Sequence, residues 1–535
     1  MGVVLAAALN MTREDTTQTD AMLAALQRPD AYPHAAPSVR RVETHISWLF
    51  LAGDFVYKLK KPVDFGFLDF STPQQRRRMC EEELRLNRRF SPELYLDVVP
   101  ITRERDRFAV GGQGEVVEYA VKMKRFPEDA TLDRVARRGG LTDELTDAMC
   151  DGIAAMHAQA PVAEEADGFG EPQRIGHWFT ENFDHIRPLL TDDDDRACLE
   201  RIARWGEAQF DRVQAVMRGR RRRGFVRECH GDLHLGNLVA LEGRVRLFDC
   251  IEFNPELRWI DVMSDVAFLY MDLLHEGLTQ QANGFLDRYL RLSGDYAGLA
   301  VLPYYFVYRA LVRAKVAVLR SAQAQDADTA MRNVYRSYLA LAERFIARPT
   351  PVLMITHGLS GAGKSTLAAR LVRRAGALQI RSDVERKRLF GLDELATSGS
   401  TVAGGIYTTD ASRRTYARLA DLAGAALAAG FSVIADATFL DGAQRERFAK
   451  LAATAHTGFV ILDFQAPASA LRARIATRRQ DQADASEADL VVLDAQLRHY
   501  RPLSDAEQAS TLVFDTTDDT AIERTMKKLE RRLTP

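Results

Sequence analysis

Nine residues, HGDLHLGNL from His230 to Leu238, bring an acid, an amide and two imidazoles together shortly after a basic run. Three chemistries fit such a set: an acid that takes a proton from an attacking hydroxyl beside an amide that holds a cation, a pair of histidines on zinc, or a plain polar turn. Zinc needs a third ligand, and the neighbours of Cys229 point elsewhere along a strand or turn, so the metal reading is weak. His234 reads as a structural histidine, and His230 as a support for the loop rather than a reacting group. Far downstream, GLSGAGKST from Gly358 has the spacing Gly-x-x-x-x-Gly-Lys-Ser. Glycines there let the backbone N–H groups of Gly358, Ser360, Gly361, Ala362 and Gly363 converge on phosphate oxygens, with Ser365 and Thr366 opening a helix. Lys364 reaches the outer phosphates of a nucleotide, and the Ser365 hydroxyl holds Mg²⁺.

Two further acids end apolar runs in the same region: Asp383 in IRSDVERKRLFG and Asp436 in VIADATFL. Ligands of open α/β sheets sit at the carboxyl ends of strands, so Asp436 is expected on the Mg²⁺ side and Asp383 at the acceptor hydroxyl as its base. The plainer reading makes each a helix cap. Arg474 and Arg478, with Arg479, lie on an expected mobile helix where guanidinium groups could close over a phosphate. The phosphate loop, the early SD-x-x-R, the DAT and the arginine-bearing stretch together resemble small P-loop kinases of the gluconate kinase, polynucleotide kinase and zeta-toxin type, over about residues 350 to 535. That resemblance implies ATP, Mg²⁺ and a transferred phosphoryl group, and leaves the acceptor open.

The upstream spacing His230-x-Asp232-x-x-x-x-Asn237 is that of the catalytic loop of protein-kinase-like enzymes, where the acid orients and deprotonates a hydroxyl and the amide holds Mg²⁺. Asp249, ending RVRLFD, falls where the second metal-binding carboxylate belongs. The strand FVYKLKKP offers Lys58, with Lys60 as rival, for the nucleotide phosphates; the following helix offers Glu83, with Glu82 as rival, as its ion-pair partner. Written with glycine between His and Asp, the segment resembles the aminoglycoside phosphotransferase family over roughly residues 40 to 345. The resemblance implies a backbone hinge for adenine around Lys122 to Phe126, and bracing of the catalytic loop by Asp261 and Asp265. It also departs from protein kinases: no Gly-rich loop precedes Lys58, and the metal acid lies in FDCIEF.

These residues need elements to hold them. The stretch VETHISWLFLAGDFVYKLKKPV reads as strands broken by a Gly53-Asp54 hairpin turn. STPQQRRRMCEEELRLNRRF reads as a capped helix with Met79, Glu83, Leu86 and Phe90 on one face. Further strands follow, then a mostly helical region from about Leu141 to Ile346. ARPTP at 347–351 is the expected linker, and beyond it five short apolar runs alternate with helical stretches, the pattern of a parallel sheet. The expected architecture has two domains. An N-terminal extension and first helix occupy 1–40, with Met11 an alternative start. An α+β bilobal protein-kinase-like domain over 41–346 precedes an α/β P-loop NTPase domain with a parallel sheet over 352–535.

With 535 residues, 46% apolar, 27% charged and a net charge of -2, the chain carries no global field toward nucleic acid or membrane. Five cysteines without a C-x-x-C pair suit a reducing cytoplasm. No run reaches transmembrane length. The acidic run Asp192–Asp195 and the basic run Arg220–Arg223 read as solvated faces. The order of modules resembles bacterial two-module kinases. The expectation is therefore a bifunctional, ATP- and Mg²⁺-dependent kinase acting on hydroxyls of small molecules such as sugars or amino sugars, with nucleic acid not expected as a partner. Three alternatives differ in class: a P-loop switch regulating one active kinase, an upstream pseudokinase scaffold, and a P-loop half acting on a nucleotide or nucleic acid.

Overall fold

The computed structural model describes residues 13–64, 68–323, 329–400, 404–481 and 485–533, so Met11 and most of the N-terminal extension lie outside the described residues. The chain forms two compact units. The first takes the residues up to Leu199 together with Gln214–Asp272 and Leu311–Tyr335. After α1 (Arg13–Ala25) it builds a six-stranded antiparallel sheet in the order β1-β2-β3-β6-β4-β5. Its strands are β1 (Val39–Glu43), β2 (Ser47–Ala52), β3 (Phe55–Lys60), β4 (Tyr95–Glu104), β5 (Arg107–Val110) and β6 (Glu115–Lys124). Ala52 pairs with Phe55, which leaves Gly53-Asp54 as the expected two-residue turn. Phe50, Tyr57, Leu59, Ile101 and Ala120 form the core of one face of this sheet.

The helix α2 (Pro73–Arg88) starts as its sequence implies: Thr72 and Gln75 make a reciprocal capping box, with proline in the first turn. Helices α3 (Leu132–Arg137), α4 (Asp143–Gln159), α5 (Pro172–Ile186) and α6 (Asp193–Arg222) follow. Next come β7 (Val226–Glu228), the hairpin β8 (Leu238–Leu241) and β9 (Arg244–Leu247), α7 (Pro255–Arg258), β10 (Trp259–Asp261) and α8 (Val262–His275). The β8–β9 hairpin matters most, because it carries the chain from His230–Asn237 round to Asp249.

The second unit takes Glu200–Val213, Leu273–Ala310 and everything from Arg336. It therefore includes α9 (Thr279–Ser293), the first part of α10 (Leu302–Gln323) and the end of α11 (Thr329–Ile346). Its sheet is parallel, in the order β12-β13-β11-β14-β15. The strands are β11 (Val352–His357), β12 (Leu378–Arg381), β13 (Val433–Asp436), β14 (Gly458–Gln465) and β15 (Thr511–Asp515). The helices are α12 (Lys364–Ala375), α13 (Ser382–Leu389), α14 (Thr409–Ala428), α15 (Gly442–Thr454), α16 (Ala468–Asp481), α17 (Leu490–His499), α18 (Asp505–Gln508) and α19 (Asp519–Leu533). Met354, Ile434, Leu462 and Phe514 on the strands pack with Leu367, Leu371 and Met526 on the helices. The sequence linker at 347–351 does separate α11 from β11. The compact units divide elsewhere, because α9 docks on α12 through an Asn283 side chain that donates to Arg373 O at 2.9 Å. No helix among the described residues is long and apolar enough to cross a membrane.

Two sequence expectations are corrected. Arg220 is not on a solvated face: it is fully buried, and its guanidinium clasps Asp261 through Nε at 2.7 Å and Nη2 at 2.8 Å. Asp195 is also buried, accepting a hydrogen bond from the Tyr335 hydroxyl, while Asp192 caps α6. Asp261, in the same pair, braces α6 and the start of α8 rather than the catalytic loop directly. Removing one partner of a buried ion pair strands the other charge away from water. Arg220→Ala is accordingly expected to lower stability by about 3–5 kcal/mol in denaturant unfolding, with much of the loss recovered by adding Asp261→Asn.

Candidate functional site

Side chains two apart on a strand share a face, so Lys58 and Lys60 of β3 both reach the carboxylate that α2 turns inward. Lys58 Nζ donates to Glu83 Oε1 at 2.9 Å and to Asp249 Oδ1 at 2.5 Å. Lys60 Nζ donates to Glu83 Oε2 at 2.8 Å and to Glu252. Burial pushes the Glu83 carboxyl up, but the two ammonium groups overcome this and hold it well below the usual range. Burial likewise opposes charge on both lysines, and the surrounding carboxylates, Asp249 and Glu83 on Lys58 and Glu252 and Glu83 on Lys60, raise both. The rivals separate by position. The Lys58 side chain keeps 11% exposure beside Asp249, itself 45% exposed, whereas Lys60 is fully enclosed. Glu82 turns the other way, to Arg85 and Arg258.

The nine-residue loop is held mostly by side chains that bond its backbone. His230 Nε2 donates to Phe248 O at 2.9 Å, and its Nδ1 accepts the Asp232 N–H at 3.3 Å. Asp265 accepts the N–H groups of His230 at 2.8 Å and Gly231 at 3.0 Å, and Asp272 accepts that of Leu235 at 2.9 Å. Gly231 has φ +85°, and a Cβ there would lie 2.5 Å from Leu257 O, so both conformation and space demand glycine. The loop presents Asp232, whose side chain is 39% exposed. Asn237 Nδ2 donates to Asp232 O at 2.9 Å and Oδ2 at 3.2 Å, and Phe248 N–H donates to Asn237 O at 3.1 Å, which sets Asp249 beside it.

His234 Nδ1 accepts from Gly236 N–H at 3.1 Å and directs Nε2 toward Asp232 Oδ2 at 3.5 Å. Both imidazoles are thus committed to the loop, which removes the zinc reading on geometry. Burial alone would raise the Asp232 carboxyl, yet the neighbouring His234, with Arg313 and His230, holds it well below its ordinary value. His234 is shifted up in turn, Asp232 outweighing burial. Carboxylate and amide oxygens on Asp249 and Asn237 form a hard donor set of the kind Mg²⁺ takes.

In the second unit the phosphate loop joins β11 to α12. Gly358 and Gly361 have φ +136° and +82°, and a Cβ on either would lie within 2.7 Å of Phe464 O or Leu471 O respectively. Lys364 Nζ curls back to Leu359 O at 2.8 Å, and Ser360 N–H donates to Gln496 Oε1 of α17 at 2.9 Å. A cavity of about 1100 Å³ opens over this loop, with Lys364, Ser365, Asp383, Asp436 and Arg474 on its wall. Asp436 ends β13 and accepts from Gln379 Nε2 at 2.8 Å, with the Thr356 hydroxyl 3.3 Å from its other oxygen. Asp383 sits in the first turn of α13, whose N-cap is Arg381. Arg474 is held by Thr516, through its hydroxyl at 2.8 Å and its carbonyl at 2.7 Å, at the back of the loop. The Arg478 and Arg479 side chains lie outside the described residues. Ser365 and Asp436 on one wall again make an oxygen donor set that suits Mg²⁺.

Sequence reasoning missed Glu252, Asp272, Gln379 and Gln496. Only Gln379 left a local signal, a lone amide in the otherwise apolar start of ALQIRSD.

Residues 69–302 match the model of the Phosphotransferase enzyme family, and residues 353–503 match an AAA domain. Uncharacterized proteins of Mycobacterium tuberculosis and Mycobacterium bovis are 30% identical to the chain over 460 residues, which is 85% of this chain and 90% of theirs. Among solved structures, a choline/ethanolamine kinase family protein from Mesorhizobium loti aligns with 62% of this chain and 96% of its own at 12% identity and TM-score 0.38. A gluconokinase from Sinorhizobium meliloti aligns with 35% of this chain and 97% of its own at 18% identity and TM-score 0.25.

Lys58→Met is expected to reduce ATP turnover at the first site on the order of a hundredfold and to cost less stability than loss of Lys60, because Glu83 keeps Lys60 and Asp249 is partly exposed. Lys60→Met instead leaves two carboxylates buried and lowers stability by about 3–5 kcal/mol. His234→Gln removes the positive neighbour that holds Asp232 down, so the Asp232 carboxyl rises and the acid limb of the turnover profile moves to higher pH. An acid limb unmoved between pH 4 and 7 counts against this role for His234.

Proposed function

The chain belongs to the family of two-module proteins that join an aminoglycoside-phosphotransferase-like domain to a P-loop kinase domain, and from that premise we propose that each module transfers a phosphoryl group to a hydroxyl of a small molecule. MgATP supplies the γ-phosphoryl group at both sites. The observation that carries the reading is the completeness of the first site. Lys58 bonds Glu83 and Asp249 at once, while Asp232 and Asn237 bond each other on the adjoining loop.

In the first module Lys58 holds the inner phosphates, fixed from behind by Glu83. Asp249 and Asn237 are the residues that would hold the cation. Asp232 orients the acceptor hydroxyl and takes its proton as the new O–P bond forms. In the second, the N–H groups of Gly361 and Gly363, with that of Ser360 once it leaves Gln496 Oε1, cradle the phosphates and Lys364 swings from Leu359 O toward them. Ser365 and Asp436 would hold the cation, and Asp383 receives the acceptor proton. Positioning and charge neutralisation supply most of the acceleration at both sites. Nothing in folding calls for Lys58, Glu83, Asp232, Asn237 and Asp249 all together, which speaks against a pseudokinase scaffold.

The test is product formation from ATP by the whole protein against pooled sugars, amino sugars, aminoglycosides and nucleosides. Asp232→Asn is expected to cut transfer to one acceptor by roughly 10²–10⁴-fold and to leave transfer to a second acceptor intact. Lys364→Ala and Asp383→Asn are expected to do the converse, Asp383→Asn with nucleotide binding retained. Hydrolysis that needs Lys364 but yields no Asp383-dependent product would make the second module a nucleotide switch instead.

A further inference from the structure

A strand at the edge of a sheet leaves a row of backbone donors without strand partners. β12 is such an edge: it pairs with β13 alone, and Leu378 N–H turns inward to Ser432 O at 2.8 Å. Gln379 N–H turns to the other side and is taken by Asp287 Oδ1 of α9 at 2.6 Å. Asp287 is only 9% exposed. Its helix is fastened to the same unit at three more places. Asn283 donates to Arg373 O at 2.9 Å, Arg388 donates to Arg291 O at 2.5 Å, and Arg291 pairs with Glu394 at 2.5 Å.

The other end of Gln379 points at the phosphate site. Its Nε2 carries two protons and has two acceptors, Asp436 Oδ2 at 2.8 Å and Ser365 O at 3.3 Å. One buried amide therefore ties together the two residues whose oxygens would hold the nucleotide's cation. An amide suits this place because it directs the carboxylate without neutralising it, whereas a cationic side chain would compete with the metal. Arg381 Nε forms only a long ion pair with the same Asp436 oxygen, at 4.0 Å, so the amide at 2.8 Å makes the shorter contact. The backbone that carries the amide is pinned in turn by Asp287, from a helix that lies within the stretch matched by the Phosphotransferase enzyme family rather than by the AAA domain.

We infer that Gln379 is a positioning residue for the Mg²⁺-nucleotide site of the P-loop, and that Asp287 on α9 sets Gln379, so that this helix completes a site whose motif lies wholly downstream of it. The inference rests on the reading that the P-loop binds a nucleotide with Mg²⁺. The test uses full-length protein with the first site disabled by Asp232→Asn and Lys58→Met, and titrates ADP calorimetrically with Mg²⁺ and with EDTA. Gln379→Leu keeps the edge N–H bond and removes only the side-chain donor. It is expected to cut the Mg²⁺-dependent gain in affinity tenfold or more, with affinity in EDTA within twofold of the parent. Asp287→Ala is expected to lose three- to fivefold of the same gain, and Asp287→Asn, whose amide oxygen still accepts, to restore most of it. Should Asp287→Ala fail to fold, Gln379→Leu and Asp287→Asn carry the comparison. A folded Gln379→Leu that keeps the full gain overturns the inference while the nucleotide reading stands. A parent protein that shows no gain overturns that reading and the inference with it.

Discussion

Glu83 is a carboxylate with no access to water, and the first site is built around keeping it charged. An isolated buried anion would take up a proton. Here two ammonium groups from one strand face hold it ionised, and each of those needs a second acceptor, which Asp249 and Glu252 supply. The register of β3 is thereby specified twice. Tyr57 and Leu59 enter the apolar core on one face, and Lys58 and Lys60 enter the charged cluster on the other. A one-residue slip would bury ammonium groups in the apolar core and turn two large apolar side chains toward carboxylates, so both faces reject it. The cluster also joins the sheet to the chain after β9, placing Asp249 against Lys58.

The second site solves the same problem of anion recognition with backbone in place of buried lysines. Its loop depends on positive φ angles, on close approach to the carbonyls of Phe464 and Leu471, and on the N-terminus of α12. Lys364 donates to a carbonyl of its own loop, a contact that a bound phosphate would replace. The charged residue that must stay in place is Asp436, and a neutral amide keeps it there. Supporting that amide has a cost of its own, since burial pushes the Asp287 carboxyl up to about 6 despite the Gln379 N–H and the guanidinium groups of Arg291, Arg373 and Arg381 that pull it down.

What could be read from the sequence was local. The phosphate loop, the nine-residue catalytic loop, the hairpin at Gly53 and the capped start of α2 each declare themselves within about a dozen residues, because turn, cap and cradle are short-range constraints. The choice between Lys58 and Lys60 was not legible, since both lie on one strand face and only a distant Asp249 distinguishes them. Glu82 and Glu83 differ by the phase of a single helix, which is fixed by what α2 packs against. Arg220 was masked by its neighbours in a basic run, its partner being 41 residues away. The break between α11 and β11 at 347–351 was visible, although it falls within the second unit; the docking of α9 was not, because helical periodicity reveals an apolar face without naming the surface it meets.

The lowered pKa of Asp232 bears on how the first site works. A carboxyl held low is a poor proton acceptor from a resting alcohol, and a mechanism that needed full deprotonation before attack would favour a raised value. Phosphoryl transfer passes through a loose transition state in which the attacking hydroxyl becomes acidic only as its bond to phosphorus forms. An acid kept ionised by His234 then has two properties that matter: it accepts the hydroxyl hydrogen bond throughout approach, and it never presents a proton to the wrong partner. The glycine, the two imidazoles and the two buried aspartates of α8 that hold the loop, Asp265 and Asp272, all serve that fixed, ionised presentation. On the proposed reading of this site, Asp232 would act first as an aligning acceptor and only late as a base.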